Sequence, residues 1–389
     1  MKSIVSLSGC KSYSQKEVDK AVREALNLIG GIKKFVKKGD KVLLKPNLLF
    51  GKDPKYAVTT HPAVLKAVIK QVKKVGATCA VGDSHPNLGD IANITGIKKV
   101  CKEMNVKLSD LGEGKVVKNL KAKLMKRFLI CKDIFNFDVM INMPKLKTHV
   151  FTIYTGAVKN LFGCIPKEQR IQFHLKLQDS KEFSDMLLDL FLLFKSKIKM
   201  LNIMDAVVGM EGPGPSSGIP RKIGAISASD NALALDKVAT EMTNLGSTPL
   251  IYLGKRRKIA GADSSEIVVK GDEISVSNFK PPIAMDSVAS LFLAHTGLKK
   301  LPLWAVKIVK NKLTAKPMVI KKTCMGCSAC QKGCPVGAVK LVRGIPTFDY
   351  SKCIRCYCCY EFCPTKSITL KKGPLLRLVE KFIHRLFNL

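Results

Sequence analysis

Acidic residues are scarce in this chain of 389 residues: 30 Asp and Glu stand against 66 Lys and Arg, for a formal net charge of +36. Such a balance favours acidic partners: nucleic acid, anionic lipid, polyanionic substrates or acidic proteins. Aromatic residues are also few, at 6%, with a single tryptophan. That leaves little to stack against bases, and with no recognisable binding module a nucleic-acid partner is not expected. A long apolar run is missing too. The longest, Met186 to Phe194, is interrupted by Asp189 and is too short to span a bilayer. Met1 to Gln15 carries no apolar core of a secretory signal. No Gly-x4-Gly-Lys-[Ser/Thr] loop occurs, which excludes a Walker-type phosphate cradle. No Gly-x-Gly-x-x-Gly comes after the first strand, so the dinucleotide fingerprint is absent as well.

Cysteine is present in a pattern. Cys324, Cys327, Cys330 and Cys334 precede Pro335, and Cys353, Cys356, Cys359 and Cys363 precede Pro364. Two runs of Cys-x2-Cys-x2-Cys-x3-Cys-Pro are the signature of bacterial ferredoxins with two [4Fe–4S] clusters. Zinc sites instead pair two short arms across a loop. In the ferredoxin pattern the fourth cysteine of each run serves the other cluster. Cys324, Cys327, Cys330 and Cys363 are therefore expected on one cluster, and Cys353, Cys356, Cys359 and Cys334 on the second. Cys358 is then a bystander. Lys340 to Val342 and Ile345 to Phe348, flanking Arg343-Gly344, read as a hairpin, and Ile368 to Leu370 should pair with a strand near Thr323. Two oxidised clusters, each about −2 with its thiolates, lower the net charge to about +32. Cys10, Cys79, Cys101, Cys131 and Cys164 read as buried free thiols of a reducing cytoplasm.

The first three hundred residues alternate strand and helix. Strands are expected at Ser3 to Leu7, Lys41 to Leu44, Thr78 to Val81, Val139 to Asn142, Leu201 to Val208 and Lys222 to Ala228. Helices are expected within Glu17 to Phe35 and over Pro62 to Val75, Phe183 to Phe194 and Ala232 to Met242. The alternation predicts an α/β fold with a mainly parallel sheet and flanking helices, with a small α+β two-cluster domain after it. Domains are drawn at 1–313, 314–372 and 373–389. Ligands of such sheets bind beyond the carboxyl ends of the strands, which directs attention to the segment after each strand.

Those segments carry Lys45-Pro46-Asn47, Gly82-Asp83-Ser84, Asn142-x-Pro144-Lys145-x-Lys147-x-His149, Gly156-x-x-Lys159-Asn160-x-x-Gly163, Asp205-Ala-x-x-Gly209-x-x-Gly212-x-Gly214-Pro215 and Ser229-x-x-x-x-x-x-Asp236. In this order they resemble the family catalogued as domain of unknown function 362, often fused to ferredoxin-like domains. The resemblance implies an α/β domain with a common site but no reaction.

The candidate substrate-binding residues are Lys45, Asn47, Asp83, Asn142, Lys147, Lys159 and Asn160, with Lys167 and Arg170 beside them. Lysine offers a point charge to carboxylate or phosphate, and asparagine both donor and acceptor. His149, Lys145 and Asp205 are the candidate catalytic residues, with Glu211, Asp230, Asp236 and His174 as further candidate acids or proton carriers. His61 is expected to cap or precede the helix at Pro62.

Leu375 to Leu389 projects as a helix with one apolar and one basic half. It could pack on this protein or a partner, or lie on an anionic membrane surface. The expected function is a cytoplasmic iron–sulfur oxidoreductase in which the clusters relay electrons to or from an anion-binding α/β site. The alternative is a carrier or assembly protein that docks acidic redox partners. Whether a flavin or metal also occupies the α/β domain stays open.

Overall fold

A computed structural model describes residues 2–85, 87–282 and 313–378. They divide into two units. One comprises Met1–Arg170 with Lys181–Pro281, and the other Ile171–Ser180 with Pro282–Leu389. Residues 379–389 of the tail lie outside the described residues, as do residues 283–312, which adjoin the domain boundary expected at 313/314.

The first unit is built on a sheet whose main path runs β12-β1-β11-β10-β7-β2-β3-β4. Its strands are β1 (Ser3–Gly9), β2 (Lys41–Pro46), β3 (Thr78–Asp83), β4 (Lys107–Asp110), β7 (Val139–Met143), β10 (Lys199–Glu211), β11 (Ile219–Ser229) and β12 (Ile267–Gly271). A hairpin of β5 (Gly114–Lys118) and β6 (Arg127–Cys131) stands apart from this path. β10, β7, β2, β3 and β4 are parallel to one another, whereas β11 is antiparallel to both β10 and β1. The sheet is thus mostly parallel, as the alternation predicts. β7 is buried along its whole length, and β2 is buried from Val42 onward. Strands covered on both faces need continuous apolar runs, which Val42-Leu43-Leu44 and Val139-Met140-Ile141 provide.

α1 (Gln15–Leu28) and α2 (Pro62–Lys74) cover one face. α1 buries Val18, Ala21, Val22, Ala25 and Leu26, the i, i+3, i+4, i+7 stripe of an amphipathic helix. It ends at Leu28, ahead of the Gly30-Gly31 break, so the helix within Glu17 to Phe35 stops well short of Phe35. Ser14 caps it by accepting from the Glu17 N–H. His61 caps α2 through Nδ1, which accepts from the Ala63 N–H at 3.2 Å, with Pro62 in the first turn where its missing N–H costs nothing.

Asp189, the interruption in the apolar run, sits on the helix Ser180–Lys197 and is fully buried. Its carboxylate accepts from the N–H groups of Lys123, Leu124 and Met125 and from Arg257 Nη2 at 2.5 Å. A buried charge with four donors anchors the β5–β6 turn to the helix.

The second unit carries two small antiparallel sheets. β13 (Lys316–Val319) pairs with β16 (Ile368–Lys371), and β14 (Val339–Val342) pairs with β15 (Ile345–Phe348). The strand expected near Thr323 lies earlier, at Lys316–Val319, and Thr323 ends a 3-10 turn that leads into Cys324. The backbone repeats itself along with the cysteines. Gly326 and Arg355, Ser328 and Tyr357, and Gly337 and Lys366 occupy matching left-handed positions. Gly333 faces the other half closely: a Cβ there would lie 2.3 Å from Phe362 Cδ2.

Candidate functional site

The register of the sheet lines up polar residues in a row. Lys45 on β2 is level with Asn142 on β7, Asn142 with Asn202 on β10, and Asn202 with Ser229 on β11. The row stands at the carboxyl ends of β2 and β7. β10 runs on past β7, and β8 (Lys145–His149) takes β7's place beside it after Pro144, pairing Lys145 with Asp205. Asp205 lies inside β10, within the strand expected at Leu201 to Val208. It is still level with the strand ends because β10 outruns its neighbour.

The asparagines form one head-to-tail chain. Lys147 Nζ donates to Asn47 Oδ1 at 2.7 Å, Asn47 Nδ2 to Asn160 Oδ1 at 3.1 Å, and Asn160 Nδ2 to Asn142 Oδ1 at 2.8 Å. Asn142 Nδ2 donates to Asn202 Oδ1 at 2.8 Å, and Asn202 Nδ2 to the Ser229 carbonyl at 3.1 Å. Second donor hydrogens are used too, from Asn160 to the Lys45 carbonyl and from Asn142 to the Ala157 carbonyl. Every amide dipole points the same way, so each bond polarises the next. Asn142 and Asn202 are fully buried, which makes such satisfaction obligatory.

Two ion pairs flank this chain. Lys45 Nζ sits 2.6 Å from Asp83 Oδ2, with both side chains buried. Gly163 leaves room for them, since a Cβ there would come within 2.9 Å of Lys45 Nζ. Lys145 Nζ lies 2.8 Å from Asp205 Oδ2 and donates to the Tyr13 hydroxyl at 2.6 Å. That hydroxyl also accepts from the Val208 N–H and donates to Asp205 Oδ1 at 2.8 Å. The Tyr13 ring stacks on His61, with centroids 3.6 Å apart and planes 9° from parallel. Burial lowers Lys145 below the usual lysine range against the opposing pull of Asp205, and raises Tyr13. Burial likewise lowers His61 to about 4, with Asp205 opposing and Lys145 adding to the shift. Lysine, tyrosine and carboxylate thus share protons at one buried point, an arrangement that can hold or move a proton.

Of the residues singled out in the sequence, Lys45, Asn47, Asp83, Asn142, Lys147 and Asn160 are joined in one hydrogen-bonded network, and Lys145 and Asp205 form a second group with Tyr13. Lys159 is half-buried on the short helix Ala157–Asn160. His149 ends β8, and its Nδ1 accepts from the Phe151 and Thr152 N–H groups, so that nitrogen organises the turn after the strand. Asp236 caps the helix Ala157–Asn160 by accepting from Ala157 and Val158, and from the Tyr154 hydroxyl at 3.1 Å; burial raises it to about 7. Arg170 donates to the Ser84 carbonyl, Glu211 accepts from the Lys280 N–H, and Lys167 and Asp230 are exposed. Tyr13, Tyr154 and Asn202 were missed, and His61 was expected only as a helix cap. Tyr13 comes after β1, which runs in the same sense as β10, so the strand-end rule applied to the first strand would have found it.

In the second unit the eight cysteines divide between two pockets. One is lined by Cys324, Cys327, Cys330 and Cys363, the other by Cys334, Cys353, Cys356 and Cys359. Among the described residues, no three or more His, Cys, Asp or Glu converge closely enough for one metal ion. Four thiols spread around a cavity suit a cluster body instead. The Ala338 N–H donates to Cys334 Sγ at 3.2 Å, and its repeat partner, the Ser367 N–H, to Cys363 Sγ at 3.1 Å. Such donors favour thiolate and tune a cluster's potential. Cys358 is buried and lines neither cavity.

Residues 316–364 match the family described as 4Fe-4S dicluster domain, so this unit is an iron–sulfur domain with an electron-transfer role. The chain is 31% identical over 286 residues to Thylakoid-associated protein sll1697 of Synechocystis sp. (strain ATCC 27184 / PCC 6803 / Kazusa), covering 72% of this chain and 87% of that one. Among solved structures, the lactate racemase apoprotein from Thermoanaerobacterium thermosaccharolyticum is similar at 13% identity and a TM-score of 0.38. That match covers 63% of this chain and 58% of the other, a likeness too slight to carry an argument. Residues 42–241 match the family described as Domain of unknown function (DUF362), and the chain belongs to that family, with a 4Fe-4S dicluster domain after it.

Proposed function

We propose that the chain is an oxidoreductase that carries electrons through two [4Fe–4S] clusters, to or from the polar network of its α/β unit. Cys324, Cys327, Cys330 and Cys363 hold one cluster; Cys334, Cys353, Cys356 and Cys359 hold the other. The network binds an anionic small molecule, and Lys145, Tyr13 and Asp205 handle its protons. The observation that carries this reading is the grouping of buried ionisable side chains at the carboxyl ends of parallel strands, in a chain that also holds an iron–sulfur domain.

Calorimetric titration of the anaerobically reconstituted chain with phosphate and with succinate tests it. Saturable binding of one of them, weakened at least tenfold in Lys145→Met with iron content unchanged, is the expected result. Full iron content with no binding of either anion would contradict it.

One observation favours a second reading. Lys45 and Lys145 already have carboxylate partners inside the fold. An α/β unit closed in this way suits a carrier that only docks acidic redox proteins. Lys145→Met would then leave the rate of electron transfer unchanged.

A further inference from the structure

We propose that the face around Met325 and Cys327 is the docking site of an acidic one-electron carrier protein, and that the cluster held by Cys324, Cys327, Cys330 and Cys363 exchanges electrons with it. The inference rests on the two-cluster reading above and adds which cluster meets the partner, and through which surface.

Three observations point there. Of the eight cysteines, Cys327 alone is exposed; the four that line the other cavity are buried or half-buried. Beside it, Met325 is 66% exposed and Val342 55% exposed. The loop and the hairpin turn belong to one surface, since a Cβ on Gly326 would lie 3.1 Å from the Gly344 carbonyl oxygen. The segment that carries this surface is basic and of one sign. Lys321, Lys322, Lys332, Lys340 and Arg343 are exposed, and residues 313–348 contain no Asp or Glu at all. Asp349 and Glu361 enter only with the second cysteine run. An apolar centre inside a charged rim is the anatomy of a protein interface, and a rim of one sign selects partners of the other and speeds their encounter. The exchange itself is one electron: it leaves the reduced cluster and enters the carrier's oxidised centre, and no atom or proton moves.

Stopped-flow mixing of the reduced, reconstituted full chain with an acidic c-type cytochrome tests this, read at the haem absorbance as ferric iron becomes ferrous. A basic c-type cytochrome serves as the opposite-charge control. The acidic protein should react fast at low salt and more slowly as salt rises. Charge reversal at the rim, K321E/K322E/R343E, should slow it at least tenfold at low salt and flatten the salt dependence, with iron content unchanged. The same charge change on exposed residues of the α/β unit, K98E/K99E/K102E, should slow it less than twofold. Single Lys322→Glu, the mildest change, should move the rate in the same direction. Equal slowing by the rim and α/β variants, or a rim variant with full iron and the wild-type rate, would overturn the assignment. A wild-type chain that takes up no iron would instead overturn the cluster reading beneath it, which the iron assay shows before any kinetics.

Discussion

Each buried ionisable side chain in the α/β network has a definable requirement, and each requirement can be tested by removing one partner. Lys145 is buried against Asp205, so Asp205→Ala leaves an ammonium group with only the Tyr13 hydroxyl. Breaking a buried pair from one side costs about 3 to 5 kcal/mol, whereas replacing both members by apolar residues is often neutral. Urea unfolding should therefore show a large loss for Asp83→Ala and a much smaller one for the double variant Lys45→Met/Asp83→Leu. An equal loss in both would mean that the Lys45–Asp83 pair contributes through packing alone.

His61 sets a pH dependence. Its folded pKa of about 4 lies below the roughly 6.5 of an unfolded imidazole. Between those values the unfolded chain binds the extra proton and the folded chain does not. The His61 contribution is thus fully present above about pH 6.5 and is lost as pH falls through about 4, on the order of 3 kcal/mol in all. Unfolding free energies from pH 8 to 4 should fall more steeply for wild type than for His61→Gln; parallel curves would contradict the assignment. Lys45, Asn47 and Asn142 were legible because they close or follow apolar strand segments, whereas Asn202, inside β10, was not. Tyr13 was within reach of the same strand-end rule applied to β1, and His61 was legible as a helix cap; its stacking on Tyr13 beside a buried lysine was not, because it joins segments far apart in the chain.

The strand register and the repeated half-domain are the elements that assemble the two sites. The row Lys45, Asn142, Asn202, Ser229 exists only because β10 lies between β7 and β11 in the observed register. The β7–β10 and β1–β11 pairings are non-local and leave no mark in the apolar runs, so the parallel core was legible while the antiparallel β1–β11–β10 portion was not. Asparagine is specifically required in the row. Asn142→Asp would set a carboxylate oxygen against the Ala157 carbonyl and Asn202 Oδ1, and should cost at least about 2 kcal/mol in the same unfolding assay. In the iron–sulfur domain the cysteine spacing announced both halves, and a crossed pairing comes from the pattern itself. Spacing gave no hint of how tightly the halves meet. With 2.3 Å between a Cβ at position 333 and Phe362, Gly333→Val should lower iron content, while Cys358→Ser, outside both cavities, should leave it unchanged.

The whole molecule joins a DUF362 unit to an iron–sulfur relay in a strongly basic chain. Among the described residues no helix is long and apolar enough to cross a membrane. Membrane contact, if made through residues 375–389, would be peripheral; deletion of those residues should then abolish sedimentation with anionic liposomes, and unchanged sedimentation would exclude the tail as the contact. The central claim is that eight cysteines hold two clusters in crossed sets of four. Iron and acid-labile sulfide per chain, measured after anaerobic reconstitution of wild type and Cys363→Ser, test it most directly. About eight of each are expected in wild type and about four in the variant. Wild-type contents near four, or a variant indistinguishable from wild type, would contradict it.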